Sequence, residues 1–356
     1  MRRRIQRNIW IAATIIGLLA TVLVGAVRIH TLKREKETVQ TRLENEVQQG
    51  IAKEIFRLHV VANSDTEEDQ NPVSYTHLLD VVRKREDGYH EVRMIMQTIN
   101  MYDQLEIDIK EEPGISITTN LPFIPTNENN LVYKAAQLLM DEFKVKKGIT
   151  VDLQKFIPVA AGMAGGSSDA AAAMIGVNRL FGLGLTVREL MERSVKVGAD
   201  VPYCLLRGTA LAEGIGEKLR ALPPCPDCYV LIGKPPVSVS TKFVYEKLDA
   251  SEIVQHPEID RMLEGLQWHN LNRIAEHMGN VLESVTIPAY PVIEEIKQHM
   301  KDHGAVNAMM SGSGPTVFGL FDDKATAEQA CEALRESKIA RTVFLTTVFN
   351  NGGRHR

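Results

Sequence analysis

Cysteine is scarce in this chain: Cys204, Cys225, Cys228 and Cys331 are the only four in 356 residues. So few thiols exclude the disulfide framework of a small secreted domain and fit a reducing compartment. Cys225 and Cys228 form one Cys-x-x-Cys, without the second pair that a zinc ribbon requires. Packed thiols are the plain reading of that pair; metal or redox use is the other. Positive charge is also lacking. A net charge of −4 offers no basic field to nucleic acid, so no nucleic-acid partner is expected. There is no internal repeat and no low-complexity tract. No Gly-x-x-x-x-Gly-Lys-Ser/Thr occurs, which excludes the Walker A loop. No His-Arg-Asp or Asp-Phe-Gly occurs, which excludes a protein kinase.

What the chain does have is a glycine cluster followed at once by alanines. Pro158-Val-Ala-Ala-Gly162-Met163-Ala164-Gly165-Gly166-Ser167-Ser168-Asp169 runs into Ala170-Ala171-Ala172-Ala173. Glycine lets a backbone bend and approach a ligand closely. The first N–H groups of a helix have no intrahelical partner and carry the positive end of its dipole. A loop of this composition at a helix start is therefore an anion cradle. A tight turn that merely caps the helix is the alternative.

Around it, alternation of apolar and polar residues predicts strands at 92–98 and 104–110, with further strands at 114–119 and 148–155. Leu131 opens an amphipathic helix. The helix after the glycine cluster is expected to run from Ser168 to about Phe181. Thr186 and Glu189 form a capping box. Residues 208–217 read as a hairpin, 229–233 as a buried strand, and 271–281, 292–299 and 325–337 as helices. Asn129 or Asn130 caps the helix at Leu131 or lies near a nucleotide. Asp200 caps the element at Val201 or acts as a base.

Three ordered blocks carry a resemblance. The glycine cluster, Val197-Gly198-Ala199-Asp200-Val201-Pro202 and Met309-Met310-Ser311-Gly312-Ser313-Gly314-Pro315-Thr316 resemble the three signature segments of the GHMP kinases. That superfamily phosphorylates small-molecule alcohols. Arg85-Glu86-Asp87-Gly88-Tyr89-His90 resembles the segment diagnostic of its branch that acts on 4-diphosphocytidyl-2-C-methyl-D-erythritol, in the non-mevalonate route to isoprenoid precursors. The resemblance begins near Leu79.

The resemblance implies an α/β (α+β), two-domain GHMP kinase fold: an ATP-binding half at 72–225 and a second half at 226–356. It implies ATP on Pro158, Gly162, Met163, Ala164, Gly165, Gly166, Ser167, Ser168 and Asn130, with Mg²⁺ at Ser167 or Ser168. Asp200 would be the base. Tyr89, His90, Thr241, Tyr245, Gly312, Ser313 and Gly314 would hold the CDP-linked substrate. Tyr89 and His90 read alone are equally a turn packed at a strand end. A homodimer is an open expectation.

The front of the chain departs from this pattern. In the resembling family the first strand carries an active-site lysine and an asparagine. Ungapped alignment back from Leu79 puts Ser74 and Thr76 at those positions. An impaired chain that binds nucleotide is therefore the alternative functional expectation. Lys84, some ten residues on, reads as a solvated turn charge. Residues 55–70 resemble the opening of the stage II sporulation protein R family, and Pro72-Val-Ser74-Tyr-Thr76-His77-Leu78 resembles the translation of a transposon-end sequencing adaptor. The expectation is a join of two unrelated reading frames. Residues 9–27 carry no charge and at 1.5 Å per residue would span about 28 Å, so a membrane anchor is expected there, with residues 1–71 as a separate segment. Arg2, Arg3, Arg4 and Arg7 before it would keep the N-terminus cytoplasmic. The kinase body itself is expected to be cytoplasmic.

Overall fold

The computed structural model describes residues 57–60, 72–253 and 255–350. Contacts divide the chain into Met1–Arg57 and Leu58–Arg356, and nearly all described residues belong to the second unit. The expected anchor at 9–27 and most of the sporulation-like segment lie outside the described residues. The expectation of a membrane-anchored chain is corrected: among the described residues no helix is long and apolar enough to cross a membrane.

The first half of the chain runs β1 (Arg57–Val60), β2 (Pro72–Lys84), β3 (His90–Tyr102), β4 (Gln104–Lys110), β5 (Ile115–Thr119), α1 (Leu131–Glu142), β6 (Gly148–Gln154), α2 (Gly165–Leu180), α3 (Val187–Ser194), α4 (Val201–Leu206), β7 (Thr209–Gly214) and β8 (Lys218–Ala221). The second runs β9 (Tyr229–Lys234), α5 (Thr241–Lys247), α6 (Ile259–Gln267), α7 (Leu271–Glu276), β10 (Gly279–Asn280), α8 (Glu283–Ala289), α9 (Val292–Asp302), β11 (Asn307–Met310), β12 (Val317–Phe321), α10 (Lys324–Ser337) and β13 (Thr342–Thr347). Three sheets result, in the orders β1-β4-β6-β5, β10-β2-β3-β7-β8 and β11-β12-β9-β13.

Local chemistry explains the ends of several elements. The Asn130 side chain accepts from the Val132 N–H and caps α1. Thr186 and Glu189 close both halves of their capping box. The capping box is the one the sequence predicts, and at Asn130 the structure realises the capping alternative. Behind the glycine cluster, Ala170 to Ala173 are all buried in the core between α1, α2 and the first sheet. Alanine is the best helix former, and its small side chain lets α2 lie close to α1 and the sheet.

Two expectations need adjusting. Helix α2 starts at Gly165, three residues before Ser168, so both glycines of the pair belong to its first turn. The helix expected over 271–281 stops at Glu276, and β10 follows, pairing in parallel with β2. The reason is Asn280. It is buried, its amide donates to the Met310 and Gly312 carbonyls, and its oxygen accepts from the Leu282 N–H. Those bonds require Asn280 to leave the helical path and face the loop after β11.

Asn280→Ala would leave two carbonyls and one N–H without these partners in a buried site. Chemical denaturation is expected to show a loss of about 2–3 kcal/mol in unfolding free energy.

Candidate active site

The glycine cluster is set by the strand before it. At the exit of β6, the Lys155 N–H donates to the Asn120 side chain, which donates back to the Lys155 carbonyl. The chain then turns through three left-handed residues, Ala160, Gly162 and Ala164, with φ of 51°, 68° and 54°. Two of these are alanines, each held at a cost of about 1–2 kcal/mol. Ala164 is the N-cap of α2 and offers no side-chain acceptor. No side chain therefore caps the first turn of α2. Gly162 could not be replaced freely, because a Cβ there would lie 2.5 Å from the Ser311 carbonyl oxygen. The Ser311 hydroxyl donates to the Gly162 carbonyl at 2.8 Å, which clasps the two glycine-rich loops together.

Beneath the cluster lies a buried triad that the sequence does not reveal. The Lys155 ammonium donates to Asp169 at 2.6 Å and also to Asp103. Asp103 in turn accepts the Phe156 and Ile157 N–H groups. Lys155 precedes the cluster and Asp169 follows it, so their ion pair straps both ends of the loop. Burial raises the Asp169 carboxyl to about 8, with Lys155 opposing the rise and Asp103 adding to it. Burial alone would lower Lys155; Asp169 and Asp103 beside it raise it above its usual value. The Asp169 Oδ1 is buried without a partner. A cavity of about 180 Å³ collects Asn130, Pro158, Gly165, Gly166 and Asp169. An uncapped helix start, two glycines and an ammonium fit the phosphates of a nucleotide.

A larger cavity of about 530 Å³ brings Tyr89, His90, Asp200, Tyr245, Gly162 and Ala164 together, with Thr241, Gly312 and Ser313 also in its walls. Asp200 precedes α4 but makes no side-chain cap bond, so the capping alternative is not realised. Desolvation raises its carboxyl above the usual range, and no cation among the described residues opposes this. The carboxyl is thereby made a better proton acceptor. His90 is buried, with Nε2 unpartnered, and its ring lies 5.1 Å from that of Tyr245. Burial first, and then the Lys84 charge, lower its pKa, so the ring is neutral at pH 7. Tyr89 is 61% exposed, which leaves a ring face free. Thr241 and Ser313 hydroxyls share a hydrogen bond of 2.9 Å.

The two cavities hold most of the expected residues; Met163, Ser167, Ser168 and Gly314 line neither. Met163 is 1% exposed and packs in the core with Ile157 and Ala161, since the left-handed residues on either side turn it inward. Ser168 is buried and its hydroxyl donates to the Gly165 carbonyl, which leaves half-buried Ser167 as the hydroxyl available to a metal ion. Gly314 is a turn residue at φ 83°, where a Cβ would meet Met310. Among the described residues no group of three or more His, Cys, Asp or Glu side chains could hold a metal ion, and Cys225 and Cys228 are free and buried. Ser74 and Thr76 lie on β2, opposite Thr98 and Met96; their side chains lie outside the described residues. Thr98, on the neighbouring β3, shares a hydrogen bond with Tyr203 of α4, the helix that Asp200 opens. Lys155, Asp103 and Asn280 escaped sequence reading because their partners are distant in the chain. An Asp directly after the twin serines was the one available signal.

Comparisons with known proteins agree with this geometry. The GHMP kinases N terminal domain profile matches residues 130–208 and the GHMP kinases C terminal profile residues 262–340. A protein of Lachnospira eligens named 4-diphosphocytidyl-2-C-methyl-D-erythritol kinase is 58% identical over 271 residues, covering 76% of this chain and 94% of the relative. One of the same name from Lachnoclostridium phytofermentans is 56% identical, over 77% and 94%. A crystal structure of 4-(cytidine 5'-diphospho)-2C-methyl-D-erythritol kinase superposes with a TM-score of 0.69 at 29% identity, covering 79% of this chain and 99% of that one. An L. major mevalonate kinase shares the fold at a TM-score of 0.64 and 19% identity.

Asp200 has a raised folded-state pKa, so its ionised form is penalised by folding. Stability attributable to it is present at low pH and lost as pH rises through that pKa. Asp200→Asn is therefore expected to raise the thermal midpoint at pH 8, with the gain vanishing near pH 3, as thermal melts at the two pH values would read.

Proposed function

The chain belongs to the 4-diphosphocytidyl-2-C-methyl-D-erythritol kinases, within the GHMP kinases, and from that premise we propose that it transfers the γ-phosphoryl group of ATP to the 2-hydroxyl of 4-diphosphocytidyl-2-C-methyl-D-erythritol, giving the 2-phosphate and ADP. It is a small-molecule kinase of isoprenoid precursor synthesis. The observation that carries the reading is the larger cavity, where a neutral histidine beside the Tyr245 ring, a desolvated carboxylate and the edge of the glycine loop share one space.

Residues 72–225 form the nucleotide half in this reading and 226–356 the second half; the N terminal profile match at 130–208 falls within the first and the C terminal match at 262–340 within the second. The first-turn amides of α2 hold the phosphates, assisted by Lys155 and the loop glycines. Asn130 and Pro158 border the same space. Ser167 would hold the Mg²⁺ that arrives with ATP, and the ion would supply charge neutralisation on the phosphates. Tyr89 and Tyr245 stack on the cytosine, at about 1–3 kcal/mol per aromatic face. His90 hydrogen-bonds its edge. Thr241, Gly312 and Ser313 bound the methylerythritol end.

At the reacting centre Asp200 accepts the proton of the 2-hydroxyl as the oxygen forms its bond to the γ-phosphorus and the bond to the ADP oxygen breaks. Positioned proton transfer is worth about 10²–10⁴ in rate. The raised pKa brings the carboxylate closer to the operating pH, where such a base is most effective. Sequencing the native locus across codons 70–80 tests the join read at residue 72; one continuous gene would contradict it.

With Mg·ATP, the purified protein is expected to convert the CDP-linked alcohol to its 2-phosphate, read by phosphorus NMR and ADP release. Faster turnover of mevalonate or another unlinked alcohol would displace this reading. Asp200→Asn is expected to reduce kcat by about 10²–10⁴. Ser74→Lys restores the lysine that the resembling family carries at this position of its first strand. It is expected to raise kcat by about 10²–10⁴ and to move the acid limb of the pH profile down, as a cation that acts on Asp200 would by favouring the carboxylate.

A further inference from the structure

The CDP-linked substrate has a diphosphate between its base and its alcohol, and none of the residues given a role so far in the larger cavity answers that charge. The base end of the larger cavity is aromatic and neutral, and the reacting end is a carboxylate. An anion lying between them needs cations in the wall. Among the described residues, Lys84 and Lys242 are the lysines that line this cavity, and no arginine does.

Lys84 ends β2, just before the turn that carries Tyr89 and His90. It is exposed and forms no ion pair among the described residues. Its charge nevertheless reaches the cavity, since it contributes to holding His90 neutral. It also helps hold the Asp249 carboxyl low, and that carboxyl is engaged with the Ser251 N–H and hydroxyl. Lys242 follows Thr241 in the first turn of α5. Its contact with Glu246, one turn on, is 3.7 Å between largely exposed side chains. A pair of that kind is worth a few tenths of a kcal/mol, so the ammonium is free to turn to a better anion. The two lysines approach the cavity from different elements, the end of a strand in the second sheet and the start of α5.

We propose that Lys84 and Lys242 form the diphosphate subsite of the acceptor cavity, gripping the pyrophosphoryl linkage that joins cytidine to the alcohol. The subsite rests on the reading of this cavity as the acceptor site. It explains why a cavity that holds the carboxylates of Asp200 and Glu246 also carries two lysines in its walls: without them the substrate's own charge would be repelled from the carboxylate it must reach. It also makes the diphosphate a specificity element, since an unlinked alcohol gains nothing from either lysine.

The test uses CDP and cytidine as probes of the whole protein, read by competition against the CDP-linked substrate and by calorimetry. Lys84→Met and Lys242→Met are each expected to weaken CDP by about tenfold, and the double variant by more, while cytidine binding and the KM for ATP stay unchanged. Lys84→Arg is expected to restore CDP binding to within about threefold of wild type. Raising salt should weaken CDP but not cytidine in the wild type, and this salt effect should shrink in the double variant. Equal CDP affinity in wild type and double variant overturns the subsite while leaving the kinase reading intact. A parallel loss of cytidine and CDP also overturns it, since that result reports a damaged cavity rather than a lost phosphate contact. Wild type that binds neither probe removes the acceptor assignment and the subsite with it.

Discussion

The first turn of α2 is the constraint on which the site depends. A helix start must find acceptors for its free N–H groups, and here the chain supplies no capping side chain. The residue in the cap position is an alanine in a left-handed conformation, preceded by two more left-handed residues. Such a loop is unfavourable by itself. It persists because its surroundings fix it from three sides: the Lys155–Asp169 strap at its base, the Asn120 bonds to the Lys155 peptide, and the Ser311 clasp on Gly162. In the proposed reading, the strain and the uncapped helix start belong to one device, an anion site whose bonds a ligand would complete.

That device explains why the two glycine-rich segments must meet although they are far apart in sequence. Gly162 has no room for a side chain because the second loop's carbonyl lies against it. The second loop is itself held by Asn280, which leaves the end of α7 to bond two of its carbonyls. The two glycine-rich loops and β10 therefore form one connected network. Asp200 shares the larger cavity with Gly162, Gly312 and Ser313 of these loops, and burial raises its carboxyl.

Much of this was legible in the sequence where short-range chemistry decides. Asn130, Thr186 with Glu189, and the alanines after the twin serines act on neighbours within a few residues, and composition alone reveals them. The GHMP-type arrangement followed from three spaced blocks rather than from any one of them. What was hidden depends on pairing across the fold. Asp103 and Lys155 are far apart in the chain and meet only because β4 and β6 are neighbours in the sheet. Asn280 sat inside an apolar pattern that continued the helical period, and its hydrogen bonds overrode that pattern. Met163 belongs to the signature yet turns into the core, because the signature records a backbone path and not which side chains face the ligand. Lys84 looked like a solvated charge, and remains exposed, but the turn after β2 brings it to the cavity.

The central claim is that the first-turn amides of α2 receive the nucleotide's phosphates, and backbone amide NMR tests it most directly. On adding an unreactive ATP analogue with Mg²⁺, the account predicts that the amide resonances of Gly165, Gly166 and Ser167 shift most, and that inorganic triphosphate moves the same three. Saturable binding of the analogue that leaves those three amides unmoved would contradict it.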